Sequence, residues 1–454
     1  MDAIPPLFNH QQETANFILP KPSTFCTSTP GTGKTRSMLE VHDKTPNKTL
    51  VSAPKTILEA VWVEDARTFY PDHNVEAFNR KYQKDPHYIK GLFDTNDIVV
   101  INHDAVTDFF KWVKGTHLLD DYDRLIIDEF TAFKNRTAIR SKNMNKLSDH
   151  FEYKTLLSGS PMPNGLLDIW HPAFILDGGQ RLGHNFFHFR NAVCQPVQKG
   201  RFQTFVEWEV IDGAIEEVGH LLRDITIRHE LEQVVDMPER IYRTMTLTMP
   251  SPLRKQYEKM KTTALLELQG ENINAVNAAV LGNKLLQIAS GSLYGNDGTI
   301  RKLHDDKYQI ATQLVKERDH SLIFYQWRHQ HHALSELLTK EKISFESING
   351  DTPQDKRSQI VQDFQNGKYQ TLLIQPAAAA HGLTLTRSTT SIWVSPTFNL
   401  EHFVQANFRD YRIGQKKRSE VIMLKYADTL EGKVYNNLQG KIQSQTRLLE
   451  ILKT

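Results

Sequence analysis

Short apolar runs recur along the chain, each closed by turn or cap residues and separated by stretches long enough for a helix. The first series is TLVSAP (49–54), DIVVIN (97–102), RLIIDE (124–129) and KTLLSGSP (154–161). The second is SLIFYQ (321–326), QTLLIQP (370–376), SIWVSP (391–396) and VIMLKY (421–426). These runs carry Ile, Val and Leu at both parities instead of alternating with polar residues, which suits strands buried on both faces of a parallel sheet. Two α/β sheets are therefore expected. Between the series, from about 165 to 300, strand-like runs are scarce and helical patterns such as AVLGNKLLQIAS (279–290) dominate. The expected organisation is a first lobe over 1–240 with a helical and aromatic insertion at about 165–235, then a second lobe over 241–454 preceded by a helical connector at about 250–300.

Composition narrows the class. At roughly 100 to 200 residues per domain, 454 residues exclude a single small module. The 39% hydrophobic and 24% charged content is that of a globular chain, not a disordered one. Cys26 and Cys194 are the only cysteines, too few for a disulfide framework or a four-cysteine zinc site. A net charge of +2 does not by itself argue for a polyanionic partner. No apolar run approaches the roughly 20 residues that span a bilayer, and MDAIPPLFNHQQ lacks the basic and apolar regions of a signal peptide. A cytoplasmic protein with no membrane association is expected.

The candidate chemistry begins at TSTPGTGKT (27–35), between the apolar STFCTS and the helix-like RSMLEVH. It fits the phosphate-loop pattern except that Ser28 stands at the first glycine. Gly31, Thr32 and Gly33 would turn backbone N–H groups around phosphate oxygens, Lys34 would reach the β and γ phosphates, and the Thr35 hydroxyl would ligate Mg2+. In isolation the same residues also make a Gly-Thr-Gly turn with a surface lysine. RLIIDEF then puts Asp128 and Glu129 at a strand end, where Asp128 can hold Mg2+ and Glu129 can orient or deprotonate the attacking water. Together the two motifs point to a nucleoside triphosphatase using ATP and Mg2+.

The order of further motifs makes the resemblance specific. Gln11 precedes the loop in LFNHQQ; LVSAPKTILEAVW, DIVVINHDAV, LIIDEFTAFKN and LLSGSPMPNGLLDIW follow it. The second half continues with SLIFYQWRHQHHALSELL, FESINGDTPQDKRSQIVQDFQ, AAAAHGLTLTRSTTSIWVSPTFN and HFVQANFRDYRIGQKKR. From about residue 5 to about residue 440 the chain resembles the helicase superfamily 2 core, and within it the Swi/Snf-like branch of double-stranded DNA translocases. QANFRDYRIGQ carries the family's Gln-Ala pair, two arginines three apart and Ile-Gly-Gln ending: Gln405, Ala406, Arg409, Arg412, Ile413, Gly414 and Gln415.

The resemblance implies two tandem RecA-like α/β lobes, with Gln11 and Gln405 among the nucleotide-binding residues. Arg409 and Arg412 would act as arginine fingers, because charge built on γ-phosphate oxygens is stabilised by a guanidinium brought from a second lobe. Ser158 and Ser160 would couple the γ-phosphate site to nucleic acid, and Gly382 and Thr384 of HGLTLT would lie on a loop touching a DNA backbone. Two departures stand out: Phe130 and Thr131 occupy the place of the family's Ala-His, and Asn407 and Phe408 lie where a glycine is common. The chain has no length for chromatin-reading modules, so the expected relative is a compact branch-migration helicase of the type found in T-odd coliphages, a monomer acting on duplex or branched DNA. An RNA helicase, or a nucleotide-gated DNA-binding protein without motor activity, is the alternative.

Aromatic and basic residues interleave in NFFHFRNAVCQPVQKGRFQTFVEWEV (185–210), a composition shared by nucleic-acid grooves and by aromatic cores with solvated rims. His329, His331 and His332 diverge by about 100° per residue on a helix, so a surface cluster is expected, not a metal site.

Overall fold

The computed structural model describes residues 4–198, 206–270, 275–294, 299–379 and 382–452. The chain forms two compact units, Met1–Asp236 with Lys441–Thr454, and Met237–Gly440.

In unit 1 seven parallel strands lie in the order Val75–Ala77, Ile98–Asn102, Lys48–Ala53, Tyr122–Asp128, Tyr153–Leu157, Ser23–Cys26 and Thr226–Ile227. The apolar residues of both parities are used as the pattern requires. Leu50, Val99, Leu125 and Ile127 enter one buried cluster, while Val51, Val100 and Ile126 enter a second. Each of these three central strands therefore buries both its faces, as a sheet covered on two sides must.

Unit 2 repeats the plan with six parallel strands: Arg240–Leu247, Ser419–Tyr426, Thr390–Trp393, Ser321–Phe324, Thr371–Ile374 and Phe345–Ile348. Ile323, Leu373, Ile392, Ile422 and Leu424 share one cluster with Leu334 and Leu338 of the helix Arg328–Lys340. All eight runs that opened the sequence analysis are strands, and the two units are parallel, helix-flanked α/β lobes.

The region between the series is less purely helical than its sequence suggests. It contains the helices Trp170–Asp177, Phe186–Val193, Ala214–Leu222, Ser251–Gly270 and Ala275–Ala289. It also contains an antiparallel hairpin, Cys194–Gln198 with Val206–Val210, and the edge strands Thr226–Ile227 and Arg240–Leu247. An edge strand has a neighbour on one side only and needs no continuous apolar run. Arg240–Leu247 accordingly reads RIYRTMTL and leaves Tyr242 half exposed.

The histidine cluster is corrected in one member. His329 is buried, its Nε2 paired with Ser290 Oγ at 2.7 Å, whereas His331 meets Ser347 Oγ and His332 is exposed. Burial holds His329 well below the usual imidazole range, to about 4. Among the described residues no group of three or more His, Cys, Asp or Glu is placed to hold a metal ion. Nor is any described helix long and apolar enough to cross a membrane.

The helix Leu430–Ile451 begins in unit 2 and its last turns belong to unit 1, where Leu448, Leu449 and Leu452 are fully buried in the first cluster. Gly219 makes room for it: a Cβ there would lie 2.6 Å from Ile451 Cγ2.

Candidate active site

The loop 27–33 leaves the C-terminal end of the strand Ser23–Cys26 and enters the helix Lys34–Asp43, the place where parallel α/β sheets offer room for ligands. Gly31 and Gly33 have φ of 92° and 80°, values that L side chains rarely adopt. At Gly33 space forbids a side chain as well, since a Cβ would come within 2.2 Å of Gln11 Nε2. Gln11 is buried and donates from Nε2 to Thr32 O at 3.2 Å, beside His10, whose Nε2 meets the same carbonyl at 2.8 Å. Thr32 Oγ1 donates to Thr29 O, and Lys34 Nζ folds back to donate to Ser28 O at 2.9 Å and Thr29 O at 3.3 Å. Thr35 lies in the first turn of a helix that Gly33 cannot cap with a side chain, a terminus suited to an anion.

Asp128 ends the strand Tyr122–Asp128, two places across the sheet from Ser23–Cys26. It is buried, and desolvation pushes its carboxyl above the usual range, opposed first by the nearby Lys34 ammonium and then by Trp62, whose Nε1 donates to Oδ2 at 3.0 Å. Trp62 is carried there by a widened, π-type turn over Leu58–Val63, a distortion often found at functional sites. Glu129 adopts φ 52°, ψ 56°, a left-handed conformation that is uncommon for a non-glycine residue and is often retained where function needs it. Its Oε2 accepts from Ser158 Oγ at 3.3 Å. Ser158 stands after the intervening strand Tyr153–Leu157; its Oγ also accepts from Ser160 N at 3.1 Å. Ser160 Oγ is buried with no hydrogen-bond partner among the described residues.

Phe130 and Thr131 are both buried, and Phe130 packs on Phe25 with ring centroids 5.3 Å apart. The position of the family's Ala-His is thus filled by core packing here.

Sequence reading missed what braces the loop. Residues 227–231 run alongside it: Thr27 N donates to Ile227 O, Thr29 N to His229 O, His229 N to Ser28 Oγ and Leu231 N to Thr29 Oγ1. Arg228, its side chain largely buried, donates from Nη1 to Thr27 O. Ser28, the residue in place of a glycine, therefore supplies a hydroxyl that ties the loop to this segment. The available signal was the β-type DITIRHE (224–230), too short to stand out.

The second set of residues lies in unit 2. Gln405, in the helix Leu400–Asn407, is buried and donates to Glu401 Oε1 at 3.4 Å. Arg409 is buried with Nη1 3.4 Å from Leu383 O, while its own carbonyl accepts from Leu385 N at 2.8 Å. The partly exposed Arg412 donates from Nη1 to Leu383 O and Thr384 Oγ1, both at 3.0 Å. Gly382 turns this loop with φ 73°, and Thr384 is exposed; His381 lies outside the described residues. Gln415 Nε2 closes the segment on the carbonyls of Thr386, Ser388 and Asp410. Asn407 accepts from Trp393 Nε1 at 2.9 Å, which accounts for a polar residue at this buried place.

Between the two arginines Asp410 is completely buried, paired with Arg240 at 3.1 Å and accepting from Ser391 Oγ at 3.0 Å. Burial raises its carboxyl above the usual range, and Arg240 opposes this. Removing one partner of a buried pair strands the other, and a guanidinium cannot neutralise itself. Asp410→Ala is therefore expected to destabilise the protein by about 3–5 kcal/mol, measured as a lowered urea midpoint in equilibrium unfolding.

The unit 1 arrangement can hold a polyphosphate chain against backbone N–H groups, place an ammonium on it and set a carboxylate beside a second, hydroxyl-supported one. The donors also fit Mg2+. A hydroxyl and a carboxylate are the hard oxygen ligands it prefers, and a cation beside Asp128 would offset the desolvation that raises its pKa.

The family model "SNF2-related domain" matches residues 16–291, and "Helicase conserved C-terminal domain" matches 306–414. Protein p41 of Acyrthosiphon pisum secondary endosymbiont phage 1 is 27% identical over 420 residues, covering 89% of this chain and 88% of its own. The chromodomain-helicase-DNA-binding protein 1-like of Mus musculus is 21% identical over 88% of this chain, which spans only 44% of that protein. Among solved structures, the Sulfolobus solfataricus SWI2/SNF2 ATPase core in complex with dsDNA aligns over 99% of this chain and 95% of its own, with 19% identity and a TM-score of 0.44. With the first of the two models matching more than half of its length, the chain belongs to the SNF2-related family of helicase-type, ATP-using enzymes.

Proposed function

We propose that this protein is an ATP-driven motor that tracks on duplex DNA and remodels branched DNA by fork regression or branch migration, working as a monomer. The observation that carries the reading is the grouping of Lys34, Asp128, Glu129 and Ser158 at the C-terminal ends of three neighbouring parallel strands of unit 1. In it, Gly31, Thr32 and Gly33 cradle the phosphates, Gln11 steadies the loop and Lys34 leaves its carbonyl partners for the β and γ phosphates. Thr35 and Asp128 would hold Mg2+, which when bound neutralises charge on the phosphate oxygens. Glu129, held by Ser158, accepts the proton of the attacking water. Arg409 and Arg412 supply positive charge to the transferring phosphoryl group, and Gln405 contributes to nucleotide binding. Ser160, Gly382 and Thr384 pass the nucleotide state to DNA.

One feature favours DNA as the track: the name of the mouse relative describes a DNA-binding helicase. The test is ATPase rate with no nucleic acid, single-stranded DNA, duplex, forked DNA and RNA. Forked and duplex DNA are expected to stimulate most and RNA least; equal stimulation by RNA would reject the reading. In the same assay Lys34→Ala should lose roughly a hundred- to thousandfold in turnover with its fold intact, as loss of a donor to developing charge does elsewhere.

A further inference from the structure

The aromatic–basic segment is not used by the ATP chemistry, and two of its three cations, Lys199 and Arg201, fall outside the described residues. What remains is built in unit 1 around one ring. Phe187 is 50% exposed, near the start of the helix Phe186–Val193. Asn185 Oδ1 caps that helix, accepting from Phe187 N at 2.8 Å and His188 N at 3.3 Å, so the ring stands on a fixed backbone.

Two guanidiniums frame it. Arg136 lies 4.9 Å from the Phe187 centroid and 4.7 Å from that of Phe186; Arg190, one turn along the helix, lies 5.3 Å from Phe187 and 3.6 Å from Trp208. Behind them Phe186 meets Trp170 edge-on at 5.5 Å, and Trp170 stacks on Phe174. Phe186 and Trp208 pack against the main core of unit 1. By strand alternation Glu207 and Glu209 leave the opposite face of the hairpin from Trp208, so no hairpin carboxylate shares the tryptophan's side.

A lone exposed phenylalanine needs no explanation. A ring anchored from behind, half exposed and with two guanidiniums close over it sets aromatic surface and positive charge side by side. We propose that Phe187, with Arg136 and Arg190, forms a stacking site for an unpaired nucleotide of DNA. A base exposed at a junction can lie on the phenyl ring while its phosphates meet the guanidiniums; a base inside a duplex already has both faces covered. The site also has a covalent route to the candidate catalytic acid. Arg136 is seven residues beyond Glu129, and between them Phe130 and Phe133 are fully buried, with Phe133 O held by His171 Nδ1 at 2.6 Å. Phe130 and Phe133 thus tie the stretch between Glu129 and Arg136 to the core of unit 1.

This inference rests on the DNA-motor reading and sharpens its substrate to DNA with unpaired bases next to a duplex. The test uses the full-length protein and three versions of residue 187. Affinity is measured at one salt concentration for a blunt duplex and for a fork with unpaired arms, with 2-aminopurine in one arm reporting stacking. Phe187→Ala should bind the fork about tenfold more weakly, the loss typical of one stacked base, and lose the 2-aminopurine quenching. Its duplex affinity, thermal midpoint and ATPase without DNA should match the wild type, and Phe187→Trp should restore fork binding. Unchanged fork affinity and quenching in Phe187→Ala overturns the stacking site while leaving the motor reading in place; so does an equal loss on the duplex. A wild-type protein that binds neither DNA overturns both.

Discussion

Arg412→Ala is expected to hydrolyse ATP roughly a thousandfold or more slowly at saturating DNA, the scale on which arginine fingers act in related chemistry, while ATP affinity falls far less. Of the two arginines it is the cleaner test. Arg409 is buried and packed against the Leu383–Leu385 loop, so its removal mixes lost chemistry with lost stability. Arg412 is partly exposed, and its bonds to Leu383 O and Thr384 Oγ1 are ones that a phosphate can outcompete, because guanidinium–phosphate pairs are charge-assisted. Arg412→Lys should rescue poorly, since a point charge lacks the planar two-pronged contact. A basic DNA-binding strip would behave differently, giving weaker DNA binding with a shallower salt slope and near-normal turnover at saturating DNA. Measuring turnover at saturating DNA and affinity across a salt series separates the two; normal saturated turnover in Arg412→Ala would sink the arginine-finger assignment.

Glu129→Gln should bind ATP normally and then stall, with turnover reduced by about 10²–10⁴. The amide is the same size, can still accept from Ser158 Oγ and tolerates the left-handed backbone no worse than glutamate, so geometry at the strand end is kept. What it cannot do is take a proton from water. Nucleotide titration together with single-turnover hydrolysis checks both halves. If ATP binding were lost, the division of roles between Asp128 and Glu129 would be wrong.

What the sequence disclosed follows from burial. Strands covered on both faces, such as Leu125–Ile127 or Leu372–Ile374, have to be continuously apolar and can be recognised one by one. Strands at an edge are set by a neighbour remote in the chain. Arg240–Leu247 pairs with Ser419–Tyr426, some 180 residues on, and nothing in RIYRTMTL announces that partner. The site divides in the same way. The phosphate loop and the acidic pair are local spellings, whereas Trp62 against Asp128 and residues 227–231 along the loop exist only once the sheet has brought distant segments together. His329 was misjudged for a related reason: a polar residue at a helix start is usually exposed, and its burial depends on Ser290, 39 residues away.

The return of residues 441–452 to unit 1 bears on the order in which the protein can be made. Leu448, Leu449 and Leu452 are fully buried there, and side chains of this kind contribute about 1.5–3 kcal/mol each, together a sum comparable with the whole net stability of many domains. During synthesis, then, the first unit to leave the ribosome waits with an open seam until unit 2 has been translated and the leucines of the last helix arrive. Gly219 keeps the slot for Ile451 clear in the meantime. No single cut in the chain releases two self-sufficient halves: cleavage near residue 236 leaves an N-terminal fragment with an apolar groove, which adding a peptide of residues 441–452 should close.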